Sequence, residues 1–225
     1  MRRMIGDIVS GRLEQGAWLP REVDFAERFE ISRGVVRETV QALKERGLID
    51  VRHGRGAWVL PEDRWNVLDE DVLVSLVVRA DRAALLDEVL ECRLVLEPDA
   101  AALAAGRATE ADVEALERAL AAADVARDDD ADDPAGFGFP SEHPAVRAEA
   151  AFHDRLVAAA GNRPLRAMLA PVHVAVAAAT HVRAPGNRGE GLRTVLAAIQ
   201  ARDPGAAAEA VRADVGATRT RLGLS

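Results

Sequence analysis

The chain has one cysteine, no tyrosine and an aromatic content of only 4%. Cys92 stands alone, which excludes an intrachain disulfide and a multi-cysteine metal site. No apolar run approaches the ~20 residues of a membrane-spanning helix, so we expect no membrane segment. The N-terminus alternates charged and apolar residues and lacks the continuous apolar stretch of a signal peptide. Together these absences predict a cytoplasmic protein.

The net charge of −8 is unevenly distributed along the chain. Residues 1–65 hold 12 Lys/Arg and 11 Asp/Glu, a net of +1, whereas the remainder holds 17 against 26. Within 31–60 there are six basic and three acidic residues. Attraction to phosphate is local and is screened beyond about 8–10 Å. An acidic body with one basic patch therefore fits a DNA-binding module joined to a second domain.

Hydrophobic spacing and turn residues predict a mainly α protein with two domains, 1–65 and 66–225. The first domain combines three short helices with a hairpin, at 3–14, 22–29, 33–46 and 48–60. Residues 61–68 resemble a linker. Beyond them the pattern is helical throughout, at 69–80, 82–106, 109–127, 142–160, 163–183, 189–202 and 204–222. Pro98 and Pro171 fall inside two of these helices, where each should kink or interrupt the helix.

The predicted helix 33–46 has an apolar face and a basic face. Val36, Val40 and Leu43 share the apolar face, and Ser32 is a suitable N-cap. A second stripe is polar and mostly cationic, and it consists of Arg33, Arg37, Gln41 and Lys44. A helix that enters the major groove by its N-terminus places early side chains at base edges, and arginine can bind guanine through two hydrogen bonds. This pattern indicates a DNA-reading helix, although a basic stripe alone is usually a solvated face.

The predicted hairpin tip is also basic. Arg52, His53 and Arg55 surround Gly54 and Gly56. A narrow loop of this kind can lie along a phosphate backbone or enter a minor groove. A glycine-rich hairpin alone is usually only a turn, so the order of helices and hairpin carries the argument.

Residues 3–60 resemble the winged-helix domain of the GntR family of bacterial regulators. The resemblance lies in ISRGVVRETVQALKERGLI, in RHGRGAWV, and in the motif G-x-L-x-x-G-x-x-L-P-x-E formed by Gly11, Leu13, Gly16, Leu19, Pro20 and Glu22. It implies that base and phosphate contacts come from Ser32, Arg33, Gly34 and Arg37, and that wing-tip contacts come from His53 and Gly54. Val23 departs from relatives that carry a DNA-contacting arginine at that place.

The helical part resembles the FCD effector domain of the FadR-like branch of the same family. The resemblance lies in ECRLVLEPDAAALAA, EAAFHDRLVAAAGNRPL and VLAAIQARDPGAAAEAV, in that order. It implies an antiparallel helical bundle that dimerises and binds a small carboxylate. Many such domains bind it through a metal held by one aspartate and three histidines.

Candidate metal ligands follow from that resemblance. Glu149 stands at the family's aspartate and His153 at its first histidine, whereas Leu192 and Asp214 stand at the other two. Glu149, His153 and Asp214 are a possible site for Mg²⁺ or Mn²⁺. The alternatives are a pocket that bonds its ligand without a metal, or a surface Glu–His pair. His173 or His181 could also substitute, although the resemblance does not place them there.

Arg93 lies among apolar positions of a predicted helix, where an unpaired charge is costly. The resemblance places it where it would clamp an effector carboxylate, together with Glu149, His153 and Asp214. A salt bridge to Glu97 at i+4 is the other interpretation. Both remain open from the sequence.

The sequence therefore predicts a ligand-responsive transcriptional regulator that binds a palindromic operator as a homodimer. The alternative is a DNA-binding dimer whose C-terminal bundle serves only dimerisation. We do not expect an enzyme, because the chain offers no nucleophile motif and no glycine-rich phosphate loop. The sequence predicts double-stranded DNA, a small-molecule effector and a second copy of the chain as partners, but no membrane.

Overall fold

The described residues form ten α-helices, three short 3-10 helices and one two-stranded sheet. In a computed structural model, the described residues are 1–29, 31–52, 54–129, 139–184 and 189–224. The helices are α1 (Arg2–Val9), α2 (Glu22–Phe29), α3 (Arg33–Glu45), α4 (Glu70–Val77), α5 (Ala83–Arg107), α6 (Glu110–Asp129), α7 (Pro144–Ala159), α8 (Arg163–Arg183), α9 (Gly189–Gln200) and α10 (Pro204–Arg221), and the strands are β1 (Ile49–Arg52) and β2 (Gly56–Val59). They form two compact units, Met1–Ser75 and Leu76–Ser225. The expected fold class is confirmed.

The first unit is a winged helix. Helix α3 buries Val36, Thr39 and Leu43, which follow helical spacing on one face. Strand β1 then pairs with β2 in antiparallel register, with Ile49 opposite Val59. Residues 16–19 run along the other edge of β2, where the backbone N–H groups of residues 16 and 19 donate to residues 59 and 57. Residues 16–19 therefore extend the wing sheet.

Residues 61–68, expected to be a linker, pack onto this unit. The buried indole of Trp65 donates its Nε1–H to the carbonyl of Leu60 at 3.0 Å. Arg46 forms an ion pair with Asp69 at 3.1 Å. Residues 61–69 therefore belong to the first compact unit, which ends at Ser75 inside α4.

The second unit is a bundle of the six helices α5–α10. Helix α10 packs along α5, α7 lies between α6 and α8, and α9 contacts α6 and α10. Pro98 and Pro171 lie inside α5 and α8, and both helices continue past them, so the expected interruption is absent. By length and composition α8 could cross a membrane, but it is mostly buried here, as expected of a core helix.

Gly47 is the glycine on which the fold of the first unit depends most directly. It has φ of +71° just after α3, and a Cβ there would lie 2.3 Å from the carbonyl oxygen of Arg64. Gly11 has a similar φ of +77°, but a Cβ there would meet nothing within 4 Å.

We therefore expect Gly47→Ala to lower the free energy of unfolding of the first unit by at least about 3 kcal/mol, since it adds a backbone clash to the left-handed strain. The matched control Gly11→Ala should cost about 1–2 kcal/mol. Urea denaturation followed by tryptophan fluorescence measures both changes. Equal losses in the two variants would contradict the close approach of residues 47 and 64.

Candidate functional site

The N-terminal end of α3 presents a basic surface in the first unit. Ser32 caps the helix, and its Oγ accepts a hydrogen bond from the backbone N–H of Val35 at 3.3 Å. Arg33, Gly34 and Arg37 are all exposed on the first turns. Because these turns carry unpaired N–H groups as well as the arginines, they can bind phosphate and reach base edges.

The other two polar residues of the stripe, Gln41 and Lys44, each contact a neighbouring acidic side chain. Gln41 donates to Glu45 at 2.9 Å, and Lys44 lies 3.8 Å from Asp50. Lys44 is nevertheless exposed, so the exposed cations of α3 are this residue near its end and Arg33 and Arg37 at its start. Val35 is exposed beside these two arginines, a position that sequence reasoning missed although it lies between two predicted contacts. An exposed aliphatic group at a helix start can contact the methyl group of thymine.

Two tryptophans support the arginines of the wing. The guanidinium carbon of Arg55 lies 5.4 Å from the ring centroid of Trp18, and that of Arg52 lies 5.7 Å from Trp58. Both distances are in the range of cation–π attraction. Gly54 has φ of +75°, which permits the tight tip between these arginines. His53, the remaining predicted wing contact, lies outside the described residues.

A buried charge cluster occupies the second unit, with Arg93 of α5 as its cation. Arg93 is 2% exposed, and its Nε donates to Oε2 of Glu97 at 2.6 Å. Its Nη2 donates to Oδ2 of Asp214, on α10, at 3.2 Å. Burial alone would lower the pKa of Arg93, but the charges of Glu97 and Asp214 outweigh it and raise that pKa. Arg93 is therefore a fixed positive charge.

Glu97 also orients His153 of α7. Oε1 of Glu97 lies 2.6 Å from Nδ1 of His153, while Nη2 of Arg93 lies 3.4 Å from the same nitrogen. Burial would raise the pKa of Glu97, but Arg93 and the neighbouring histidines hold it well below its usual range, so it is an anion. The short contact then requires Nδ1 to carry the proton and donate it. In this tautomer Nε2 keeps its lone pair.

His173 of α8 completes the cluster. It is 2% exposed, its ring centroid lies 5.0 Å from that of His153, and its Nε2 lies 3.4 Å from Oε1 of Glu97. Within the described residues neither ring nitrogen has a hydrogen-bond partner. Burial lowers the pKa of His173, and the attraction of Glu97 offsets this only in part, so that the resulting pKa is about 4. His173 is therefore neutral at physiological pH.

The predicted effector residues are only partly brought together. Arg93 contacts both His153 and Asp214, whereas the buried Glu149 acts on Arg93 through its charge. Glu97 was not assigned to the site from the sequence, and His173 was named only as a possible substitute ligand. The i, i+4 spacing signalled the contact of Glu97 with Arg93, and a histidine in the apolar run of α8 was the signal for His173.

A metal does not fit the residues that the resemblance implies. Leu192 is a buried apolar side chain with no ligand atom, and Asp214 is bonded to Arg93. Among the described residues, the three ligand atoms within 4.8 Å of one another belong to Glu97, His153 and His173. An ion there would adjoin the Arg93 guanidinium, which shares the Glu97 carboxylate and repels cations. We therefore derive no step through a metal.

Two family models match the chain. Residues 2–59 match the model described as bacterial regulatory proteins, gntR family, and residues 88–217 match the FCD domain. Among curated proteins, the chain is 38% identical over 113 residues to the galactonate operon transcriptional repressor of Escherichia coli, covering 50% of this chain and 49% of that one. It is 36% identical over 113 residues to the HTH-type transcriptional regulator LutR of Bacillus subtilis, covering 50% of each. The chain thus spans about half the length of these relatives.

Solved structures extend the similarity over the whole chain. A GntR protein of Streptococcus agalactiae matches with a TM-score of 0.53 and 26% identity, covering 98% of this chain and 99% of that one. McbR/YncC of E. coli matches with a TM-score of 0.58 and 19% identity, covering 98% and 93%. The second match, at its low identity, shows the fold alone.

The lowered pKa of His173 predicts a pH-dependent stability. Between pH 6.5 and 4 the unfolded chain takes up a proton on this residue that the folded chain does not, so the folded state loses stability as pH falls. The loss attributable to His173 should reach roughly 3 kcal/mol near pH 4 and be absent above pH 7.

Urea unfolding followed by circular dichroism measures the free energy of unfolding at each pH. We expect this free energy to fall more steeply with acid for the wild type than for His173→Leu, because leucine has no titrating group. The difference between the two curves isolates His173 from other titrating groups. Parallel curves would show that residue 173 is not desolvated in the fold.

Proposed function

Since the chain belongs to the GntR family of bacterial regulatory proteins, in the FadR-like branch with an FCD domain, it is a transcriptional regulator, and we propose that it binds a palindromic operator as a homodimer and responds to a small carboxylate. DNA binding is the part for which the residues argue most directly. The observation that carries it is the exposure of Arg33 and Arg37 on the first turns of a capped helix. As a DNA-binding regulator it would act in the cytoplasm.

We assign DNA contacts to Ser32, Arg33, Gly34 and Arg37 on the helix, and to His53, Gly54 and Arg55 on the wing. The helix would read base edges, and the wing would lie along the backbone or in the minor groove. The tryptophan beneath Arg55 supports this assignment because it limits the positions of a long side chain. A two-fold dimer would contact half-sites one or more helical turns apart.

We assign the effector site to the cluster of Arg93, Glu149, His153 and Asp214, in which Arg93 is the group that would bond the effector carboxylate. Arg93 supports a carboxylate because a guanidinium forms paired, charge-assisted hydrogen bonds to that group. One relative is named for a galactonate operon, and galactonate is a hydroxylated carboxylate. We propose direct binding by the guanidinium, without an intervening divalent ion. A ligand then acts only through different affinity for the two states of the dimer.

Replacing Arg33 or Arg37 by Ala should weaken binding to the operator by about 1–3 kcal/mol each, as expected for loss of a base contact, and the double change to Glu should abolish binding. A duplex selected from a random library by the full chain serves as the probe in fluorescence anisotropy. Arg12→Ala is the control. This exposed arginine follows α1 and pairs with Asp7, and it is not among the predicted DNA contacts. Wild-type affinity of the double Glu variant would remove α3 from the interface.

The effector assignment is tested by thermal shift with a panel of small carboxylates that includes galactonate. We expect at least one acid to raise the melting temperature of the wild type and to have no effect on Arg93→Gln, which lacks the cation. Prior treatment with EDTA should leave the shift unchanged. If no acid in the panel raises the melting temperature, a bundle that serves only dimerisation is favoured. If EDTA abolishes the increase in melting temperature, a metal site at Glu149, His153 and Asp214 is favoured.

A further inference from the structure

We infer that Asp214 is an internal substitute for the effector carboxylate. It occupies Arg93 until the carboxylate of a ligand displaces it. This inference rests on the proposed function, because it takes Arg93 as the effector-binding cation. It adds a regulatory contact between α5 and α10 at the position where the family resemblance implies a metal ligand.

Two of the three guanidinium nitrogens of Arg93 are already bonded to carboxylates. Its Nε is bonded to Glu97 and its Nη2 to Asp214, and the whole side chain is buried. A ligand that binds this guanidinium through Nε or Nη2 must therefore take the place of one of the two carboxylates. Adding a third would also increase the excess of negative charge, since Glu149 already lies near enough to affect Arg93.

The two carboxylates are held with different strength. Glu97 is 0% exposed, belongs to the same helix as Arg93, and makes contacts of 2.6 Å to both Arg93 and His153. Asp214 comes from another helix, its side chain is 12% exposed, and its contact with Arg93 is 3.2 Å long. Charge-assisted hydrogen bonds are normally shorter, at about 2.7–2.9 Å. Asp214 is therefore the group that a ligand displaces.

A cleft leads to Asp214. It lies between α9 and α10, has a volume of about 270 Å³, and is lined by Thr194, Asp214 and Arg221 among others. Glu190 also lines it and disfavours a bulky anion at that side. The buried Nη1 of Arg221 has no hydrogen-bond partner among the described residues. The lining thus offers a second guanidinium, which suits a small acid with an acceptor at its other end, whereas the Thr194 hydroxyl already donates to the carbonyl of Glu190.

Gly191 of α9 leaves the space that the Asp214 carboxylate occupies. A Cβ at residue 191 would lie 2.5 Å from Oδ1 of Asp214, so any larger residue forces this carboxylate to move. The glycine and the aspartate form a close contact between α9 and α10, and rotation of the aspartate would break both this contact and the bond to Arg93. A second α5–α10 ion pair, Arg219 to Asp87 at 2.7 Å, would remain.

Acetate is the probe, because it is the smallest organic carboxylate that can bond a guanidinium in two places. Isothermal titration of the full chain should give acetate binding at least about tenfold tighter for Asp214→Ala than for the wild type, since the competing charged hydrogen bond is gone. Gly191→Ala should shift affinity in the same direction without any change in charge. In Asp214→Ala, a further Arg93→Gln change should abolish the gain.

Asp87→Asn is the matched control, because it removes the other ion pair between the same helices without touching Arg93. It should lower the melting temperature and leave acetate affinity within about twofold, as for a change that does not alter the site. Acetate affinity equal to wild type in both Asp214→Ala and Gly191→Ala would overturn the inference. The proposed function would survive that result if carboxylate binding by the wild type still required Arg93, and it would fail with the inference if Arg93→Gln changed nothing.

Discussion

The burial of one guanidinium determines how the helical unit is arranged. Arginine does not give up its proton, so the charge of Arg93 must be matched inside the bundle by partners that are themselves buried. Glu97 provides the nearest match from the same helix and in turn fixes the proton of His153. Asp214 joins from α10. Three helices therefore meet at this charge, and their relative positions depend on it.

Local patterns predicted the first unit well because its elements depend on neighbours in sequence. The cap at Ser32 and the apolar spacing of α3 are visible in a short window, and so is the glycine-rich tip of the wing. The packing of residues 61–68 was not visible, since the backbone N–H of Asn66 donates to the carbonyl of Arg46, which is distant in sequence. Residues 61–68 therefore resembled a linker.

The buried cluster shows a different limit. The contact of Arg93 with Glu97 is an i, i+4 pair and could be stated in advance, but only as one of two interpretations. The structure has this pair together with a contact to Asp214, whereas the clamping of an effector carboxylate stays a prediction. The contact of Glu97 with His153 joins residues on separate helices, and no periodicity indicates it. The environment of His173 likewise depends on how α8 packs against α5 and α7.

All three tryptophans, at positions 18, 58 and 65, belong to the winged helix, and the helical bundle has none. Trp18 is 43% exposed beneath a wing arginine, whereas Trp65 is buried. Ultraviolet emission of the intact protein therefore reports on the winged helix alone. If a compound that binds the bundle changes this emission, its binding has altered the environment of a tryptophan in the other unit.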